Sequence, residues 1–406
     1  MKWRDLLSGG FVRQRTEVKA SATGPLFAWA GPGQARWTPR RYDRLADEGY
    51  RRNVIGYRCV RVIAQGAASA RWLLYGANGR EFDRHPLLDL LARPNPLQGG
   101  AAMLDALYGY FLIAGNAYLE AVAAGDDAPP RELHALRPDR MKIVPGPTGL
   151  PSAYEYSVQG KKTLFPADPV SGASAILHLR SFNPLDDWYG MSPIEAAAYA
   201  VDQHNAAAAW NQALLQNSAR PSGALVYAPR EGPGSLSDQQ FQRLKSEIDA
   251  QYGGPGNAGR PMLLEGGLDW KEMSLSPKDM DFHSARAQAA RDVAAAFGVP
   301  PMLVGVPGDA TYANYREARL ALWEDTILPF LDHVVDQLNN WLGPRYGQGL
   351  RLAYDIDRVN ALGPRRAEAW ARVQGADFLS ANEKRAATGY GPIIGGDELP
   401  RNKDTE

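Results

Sequence analysis

Two helix-length stretches, each opened by Ser-Pro and poor in large side chains, bracket a compact insert at residues 220–275. Ser192-Pro193-Ile194-Glu195 reads as a capping box. The serine accepts from first-turn amides, Glu195 reaches back, and Pro193 takes the first helical position, where its missing N–H is no loss. The stretch that follows, AAAYAVDQHNAAAAWNQALLQNSA, predicts a helix to Ala219, roughly 27 residues or ~40 Å at ~1.5 Å per residue. Ser276-Pro277 opens the second helix, along which Phe282, Ala285, Ala289, Val293 and Phe297 recur on one side. Gly298 is placed as its C′ glycine, and Pro300 and Pro301 forbid continuation. Helices rich in alanine on several sides need neighbours on several sides, and one chain supplies too few. Many copies side by side supply them, and a ring is the closed solution for head-to-tail contacts.

Upstream, NVIGYRCVRVIAQ at 53–65 reads as a short amphipathic helix and RWLLY as a strand, with ANGR at 77–80 as a type I′ hairpin turn. A helix is predicted over 99–113. AYLEAV, RELHAL, MKIV, AYEYSV and AILHLR alternate between turn-rich pieces. Residues 53–182 therefore predict an α+β domain with one meandering antiparallel sheet. Within the insert, GALVYA, PMLLEG and LDWKEMSL read as strands, and Ser237 to Gln240 caps a helix between them. Asn314-Tyr-Arg-Glu317 predicts the start of a further helix ending at Gly343-Pro344 and kinked near Asp325 by Pro329. LRLAYDI is a strand, a helix starts at Pro364, and Ser380 to Glu383 is another capped turn.

Catalytic chemistry leaves no mark. The six histidines form no zinc or metalloprotease pattern, and His204 and His283 have no second ligand in register. Asp355 and Asp357 would share one strand face without a third donor. Asp186 and Asp187 are too close in sequence to flank a glycosidic bond unaided. GGPGNAGR at 253–260 lacks the Lys-Ser/Thr of a phosphate loop, and the single Cys59 lies on an apolar helix face. No cofactor or metal is predicted. Lys+Arg and Asp+Glu both total 45, which argues against a broad nucleic-acid-gripping face. Residues 1–52, with eleven Lys/Arg against five Asp/Glu, read as a solvated basic arm or as a contact for an acidic partner. No apolar run is long enough to span a bilayer. The N-terminus lacks the apolar core of a signal peptide, and one cysteine excludes an internal disulfide, so synthesis in a reducing cytosol is expected.

FGVPPMLVGVPG, residues 297–308, is apolar yet carries three prolines and three glycines. A core helix would not tolerate so many breakers, and a solvated loop is not normally so apolar.

The order YGMSPIEAA, NQALLQNSARPSGAL, LSDQQFQRLKSE, YGGPGNAGRPMLLEGGLDWKEMSLSPKDMDF, AAAFGVPPMLVG, ATYANYREA and LSANEKRAATGYGP resembles portal proteins of HK97-type tailed phages. HPLLDLLARPNP and YFLIAGNAYLE extend the likeness, which covers about residues 50 to 395. The short chain and EVKASATGP are more particularly similar to the portals of gene transfer agents. The resemblance implies an α+β portal-type fold and a ring of twelve subunits at one capsid vertex of a virion or phage-like particle made in a bacterial cytoplasm. Double-stranded DNA would pass through it without sequence specificity, and the major capsid protein, the large terminase subunit and a head–tail adaptor would be its partners. It would be no enzyme and would touch no membrane.

Mapped onto this chain, the resemblance implies an arm at 1–50, a wing at 51–190, a first stem helix at 191–219, a clip at 220–275 and a second stem helix at 276–298. A tunnel loop follows at 299–313, then a kinked wing helix at 314–344 and a crown at 345–406. Leu303, Val304, Gly305, Val306, Pro307, Gly308, Asp309, Ala310, Thr311 and Tyr312 would line the channel, where a surface without Lys or Arg lets phosphates slide. Ala207, Ala208, Trp210, Ala289 and Val293 would meet neighbouring subunits. A loop tucked under the wing, a closed capsid or baseplate scaffold, and a hydrolase with a dispersed active site stay open as alternatives.

Overall fold

Buried polar side chains at helix starts set the frame of this molecule. The computed structural model describes residues 41–125, 128–147, 149–168, 170–216, 223–227, 237–252, 268–272, 282–308, 311–388, 391 and 393–399. Helix α1 (Tyr42–Arg44) runs into a π-helical segment, Leu45–Arg51, and is followed by α2 (Val54–Ala68), β1 (Trp72–Tyr75), α3 (Pro86–Ala92) and α4 (Gly100–Ala114). Strands β2 (Asn116–Val122), β3 (Glu132–Leu136), β4 (Met141–Pro145), β5 (Pro151–Val158), β6 (Lys161–Pro166) and β7 (Ile176–Arg180) come next. Then follow α5 (Pro193–Ala196), α6 (Ala198–Gln216), β8 (Gly223–Tyr227), α7 (Asp238–Tyr252), β9 (Leu268–Glu272) and α8 (Phe282–Ala296). The chain continues through α9 (Tyr312–Ala321), a second π-helical segment at Leu322–Ile327, α10 (Leu328–Tyr346), β10 (Arg351–Tyr354), α11 (Gly363–Gln374) and α12 (Ala381–Ala387).

The described residues divide into two compact units, one within 41–209 and 282–406 and the other within 210–280. In the first, α2 and α4 pack together and α4 covers β2, whose Ala117, Tyr118, Leu119 and Ala121 are buried. The sheet around it has the order β3-β2-β7, while β4, β5 and β6 form a separate antiparallel sheet and β1 pairs with β10. The single meander expected from the sequence is thus two sheets, because β7 returns to lie beside β2. Strand β6 escapes sequence reading because it is exposed along nearly all its length, leaving no buried face to impose alternation. The turn after β1 has its hydrogen bond from the Gly79 amide to the Gly76 carbonyl, and Gly79, not Asn78, has positive φ. This is not the predicted type I′ turn.

Several helix ends also differ from expectation. Tyr42–Arg51, counted with the solvated arm, is helical with Leu45 and Gly49 buried. Ser192 accepts from the Glu195 amide, but the helix it starts breaks at Ala197, so the long first helix is α5 plus α6. Thr311, not Asn314, caps α9 through its hydroxyl. The irregularity demanded by Pro329 is the π-helical Leu322–Ile327, with Leu328 N–H reaching five residues back to Trp323 O. Helix α10 continues through Gly343 and Pro344 because its last turn is anchored from outside. Trp341 Nε1 and Arg345 Nη2 donate to Ser174 O at 3.0 and 2.9 Å, and Tyr346 Oη to Pro130 O. Strand β10, assigned to a crown at 345–406, pairs with β1 in the first unit's body. At 380–383 the capping box is complete, with Ser380 and Glu383 each accepting from the other's amide.

In the second unit β8 and β9 pair antiparallel from Gly223↔Glu272 to Tyr227↔Leu268. Ser237 and Gln240 cap α7 reciprocally, the Ser237 amide donating to Gln240 Oε1 at 2.9 Å. The predicted strand PMLLEG and the Ser276-Pro277 start lie outside the described residues.

Asn53 is fully buried and caps α2, its Oδ1 accepting from the Ile55 and Gly56 amides at 3.1 and 2.9 Å. That fixes its Nδ2 as a donor to Asn205 Oδ1 at 3.0 Å and toward His204 Nδ1 at 3.3 Å. Asn205 Nδ2 donates in turn to Glu48 O. Asn53→Ala should lower unfolding free energy by about 2–4 kcal/mol, combining a lost cap with orphaned buried partners. A urea midpoint unchanged from wild type would show that the cap is dispensable.

Candidate functional site

The 297–308 segment is built by the end of α8. Gly298, at φ 65°, and Val299 close a Schellman motif, their amides donating to Ala295 O and Ala294 O. A 3-10 turn over Pro301–Val304 follows, and the Val306 amide returns to Pro301 O at 3.1 Å. Phe297, Val299, Val304 and Val306 all enter the same hydrophobic core as α2 and α10, and Leu303 packs against it. The apolar character of the segment therefore has a local cause: most of it faces its own subunit. Val304 and Val306 keep only 9% and 5% of their surface, so within one subunit these two side chains fill its own core.

Gly305, Pro307 and Gly308 are the exposed residues of the turn, with Thr311 beyond it. Asp309 and Ala310 lie outside the described residues, and of Tyr312 only the backbone is described. The loop is also not remote from positive charge. Arg291, one turn before the end of α8, donates from Nη2 to Pro307 O at 2.5 Å. Sequence reasoning missed it because the contact spans sixteen residues and Arg291 belongs to no motif. Thr326 Oγ1 donates to Gly298 O at 2.7 Å, tying the loop's start to the π-helical segment.

Helices α6 and α8 show the same inward bias. Ala289 and Val293 are buried in the core cluster and Ala207 is buried on α6, so these three are filled by their own subunit. Ala208 and Trp210 are half-buried. The exposed small side chains are instead Ala206 and Ala209 on α6, and Ala285, Ala295 and Ala296 on α8. The helices are joined by a polar contact: Arg286 Nε approaches His204 Nε2 at 3.4 Å, and His204 meets Asn53 on its other side.

The remaining reactive-looking groups have structural roles. Asp186 Oδ1 accepts from the Trp188 and Tyr189 amides. Asp355 accepts from the Asp357 amide and pairs with Arg358, so Asp355 and Asp357 frame a turn beyond β10. Burial pushes the Cys59 thiol up to about 12. Among the described residues no group of three His, Cys, Asp or Glu could hold a metal, and no helix is long and apolar enough to cross a membrane.

Burial, reinforced by Arg180, lowers His178 to about 3, and burial with Arg286 lowers His204. His178 stacks on Tyr118 at 4.5 Å, with Nε2 at 2.9 Å from Asn116 Oδ1, which also accepts the Gly190 amide. Both folded values lie below the ordinary 6.5. Between about 3 and 6.5 the unfolded chain therefore binds a proton at residue 178 that the folded chain refuses, and stability rises with pH across that window. Moving from pH 7 to pH 5 should cost about 2 kcal/mol through His178. His178→Gln, which keeps a donor for Asn116, should flatten the dependence of melting temperature on pH. An unchanged slope would exonerate His178.

Residues 55–389 match the family described as Phage portal protein. The chain is 43% identical over 357 residues to an uncharacterized protein of Rickettsia bellii (strain RML369-C), covering 88% of this chain and 91% of that one. With the portal protein of Enterobacteria phage HK97 it shares 24% identity over 413 residues, 98% of this chain and 92% of that one. Among solved structures, a chain from the neck of a native gene transfer agent particle, computed with C12 symmetry, matches with TM-score 0.67 and 48% identity. That match covers 89% of this chain and 97% of the other.

Proposed function

The chain belongs to the phage portal protein family, and from that premise we propose that twelve copies close into the portal ring at one vertex of a gene transfer agent or phage-like particle. The observation that carries this reading is the 48% identity, over 89% of the chain, to a subunit of a neck with C12 symmetry. In this reading the ring is the channel through which double-stranded DNA enters and leaves, and its work is mechanical. Gly305, Pro307 and Gly308 would present the channel surface, with the buried valines beneath them as a stiff base and Arg291 holding the turn. The exposed alanines of α6 and α8 supply faces with little side-chain bulk where another helix could approach closely. The unit at 210–280 would be the clip that receives the large terminase subunit and later the head–tail adaptor. The wing would meet the major capsid protein.

Light scattering on the purified protein should give a mass of about twelve times the 44.3 kDa subunit. Negative-stain images should show an annulus with an open centre. A strictly monomeric protein at native salt, absent also from particles, would overturn the proposal. A closed disc would favour a scaffold without a channel.

A further inference from the structure

The ring reading leaves open which surfaces of neighbouring subunits engage, and the loop after β7 supplies one of them. Phe182 and Leu185 are 84% and 96% exposed, an unusual display for two large apolar side chains three residues apart. The loop is nonetheless fixed. Asn183 Nδ2 donates to Tyr189 O at 2.9 Å, and Asn183 Oδ1 accepts the Leu185 amide at 3.0 Å. Asp186 takes two amides, and the Arg180 guanidinium donates to the Asp187 carbonyl. A preorganised loop gives up little conformational freedom on docking. Beside the two apolar side chains stand the carboxylates of Asp186 and Asp187, both exposed.

Elsewhere on the same unit lies an open cavity of about 630 Å³, walled by Pro86, Leu90, Pro130 and Tyr346. It is preformed: Tyr346 Oη donates to Pro130 O at 3.2 Å, and the His85 ring leans on Tyr346 at 5.9 Å. Its rim carries the exposed guanidiniums of Arg93 and Arg131, with Asp89 as the one opposing charge among the lining residues. The loop and the cavity thus match twice over, apolar to apolar and carboxylate to guanidinium.

They lie too far apart within one subunit to meet. In the sheet ordered β3-β2-β7, Arg180 at the end of β7 pairs with Asn116 at the start of β2. Glu132 at the start of β3 pairs with Val122 at the end of β2. The loop therefore leaves one edge strand at one end of the sheet, while Arg131 enters the other edge strand at the opposite end. Complementary surfaces at diagonal corners of one sheet make a heterologous, head-to-tail contact, the type that closes rings.

We propose that the Phe182–Asp187 loop of each subunit docks into the cavity beside Arg93 and Arg131 of the next copy of this chain. This rests on the ring reading, and its test separates the two. The native Cys59 is buried, so cysteines placed by Leu185→Cys and Ala92→Cys report without background. Mild oxidation of the double variant should give a ladder of multiples of 44.3 kDa on denaturing gels, while either single variant stays at one subunit. Asp187→Arg alone, or Arg131→Asp alone, should raise the concentration needed for ring formation by about tenfold or more. The pair together should recover most of the loss. Rings that assemble normally in both single charge variants, with no ladder in the cysteine pair, overturn the contact and leave the ring intact. Wild-type protein that forms no ring under any packaging-competent condition overturns both.

Discussion

Val306→Lys should strip the folded subunit of much of its stability. The valine retains 5% of its surface, sits in the core cluster shared by α2, α8 and α10, and belongs to a turn closed by its own amide. An ammonium placed there, among the buried apolar side chains of that cluster, must either be dehydrated or shed its proton. Either route costs several kcal/mol, on the order of 3–5, against a total of about 5–15 kcal/mol for a domain. Val306→Ala, a cavity without a charge, should cost about 1–3 kcal/mol and remain foldable. Urea unfolding of both variants distinguishes the alternatives. If Val306→Lys unfolds at the wild-type midpoint, its side chain reaches solvent, and the inward orientation of this segment is wrong.

The same valine shows where the sequence stops being legible. Punctuation was readable because it is local: Ser380 with Glu383, Ser237 with Gln240, and Gly298 at the end of α8 each satisfy backbone groups within one turn. The strands with a buried face were readable too, since burial enforces alternation. What no pattern states is whose core an apolar face fills. Ala289, Val293 and Ala207 recur as a ring-forming stripe would, yet they pack inside their own subunit. An apolar spacing is the same whether the neighbour is α2 or another chain. Long-range polar contacts were equally silent, as Asn53 with His204 across 151 residues and Arg291 with Pro307 show. Thr311 caps α9, yet Asn314 and Glu317 offer a competing box within the next turn that the sequence alone does not rank below it. The Phe182–Asp187 loop shows in sequence only two adjacent acids.

Pro307→Lys should assemble normally and translocate DNA poorly. Pro307 is exposed, and its contribution to the loop is a carbonyl held by Arg291, which a lysine backbone also offers. The backbone conformation set by proline is open to lysine, so the cost to folding is the small one of a freer unfolded chain, under about 1 kcal/mol. In a ring with the C12 symmetry of its relative, the change adds twelve positive charges at one level of the channel, where each subunit already holds Arg291 behind the turn. One exposed charge attracts a phosphate by about 1 kcal/mol or less. Even a few engaged together add a barrier of several kcal/mol, and each 1.4 kcal/mol slows a step about tenfold. Yields of DNA-filled particles should therefore fall by about tenfold or more, while ring images and subunit stability stay as in wild type. The polar but uncharged Pro307→Gln should package normally. Raised salt should relieve the lysine defect, since screening shortens the reach of phosphate attraction from about 10 Å at 0.1 M toward 3 Å at 1 M. Arg291→Ala should act in the opposite electrical sense while loosening the turn, so any packaging defect it shows should not respond to salt. Normal packaging by Pro307→Lys rings at low salt would place this turn away from the DNA path.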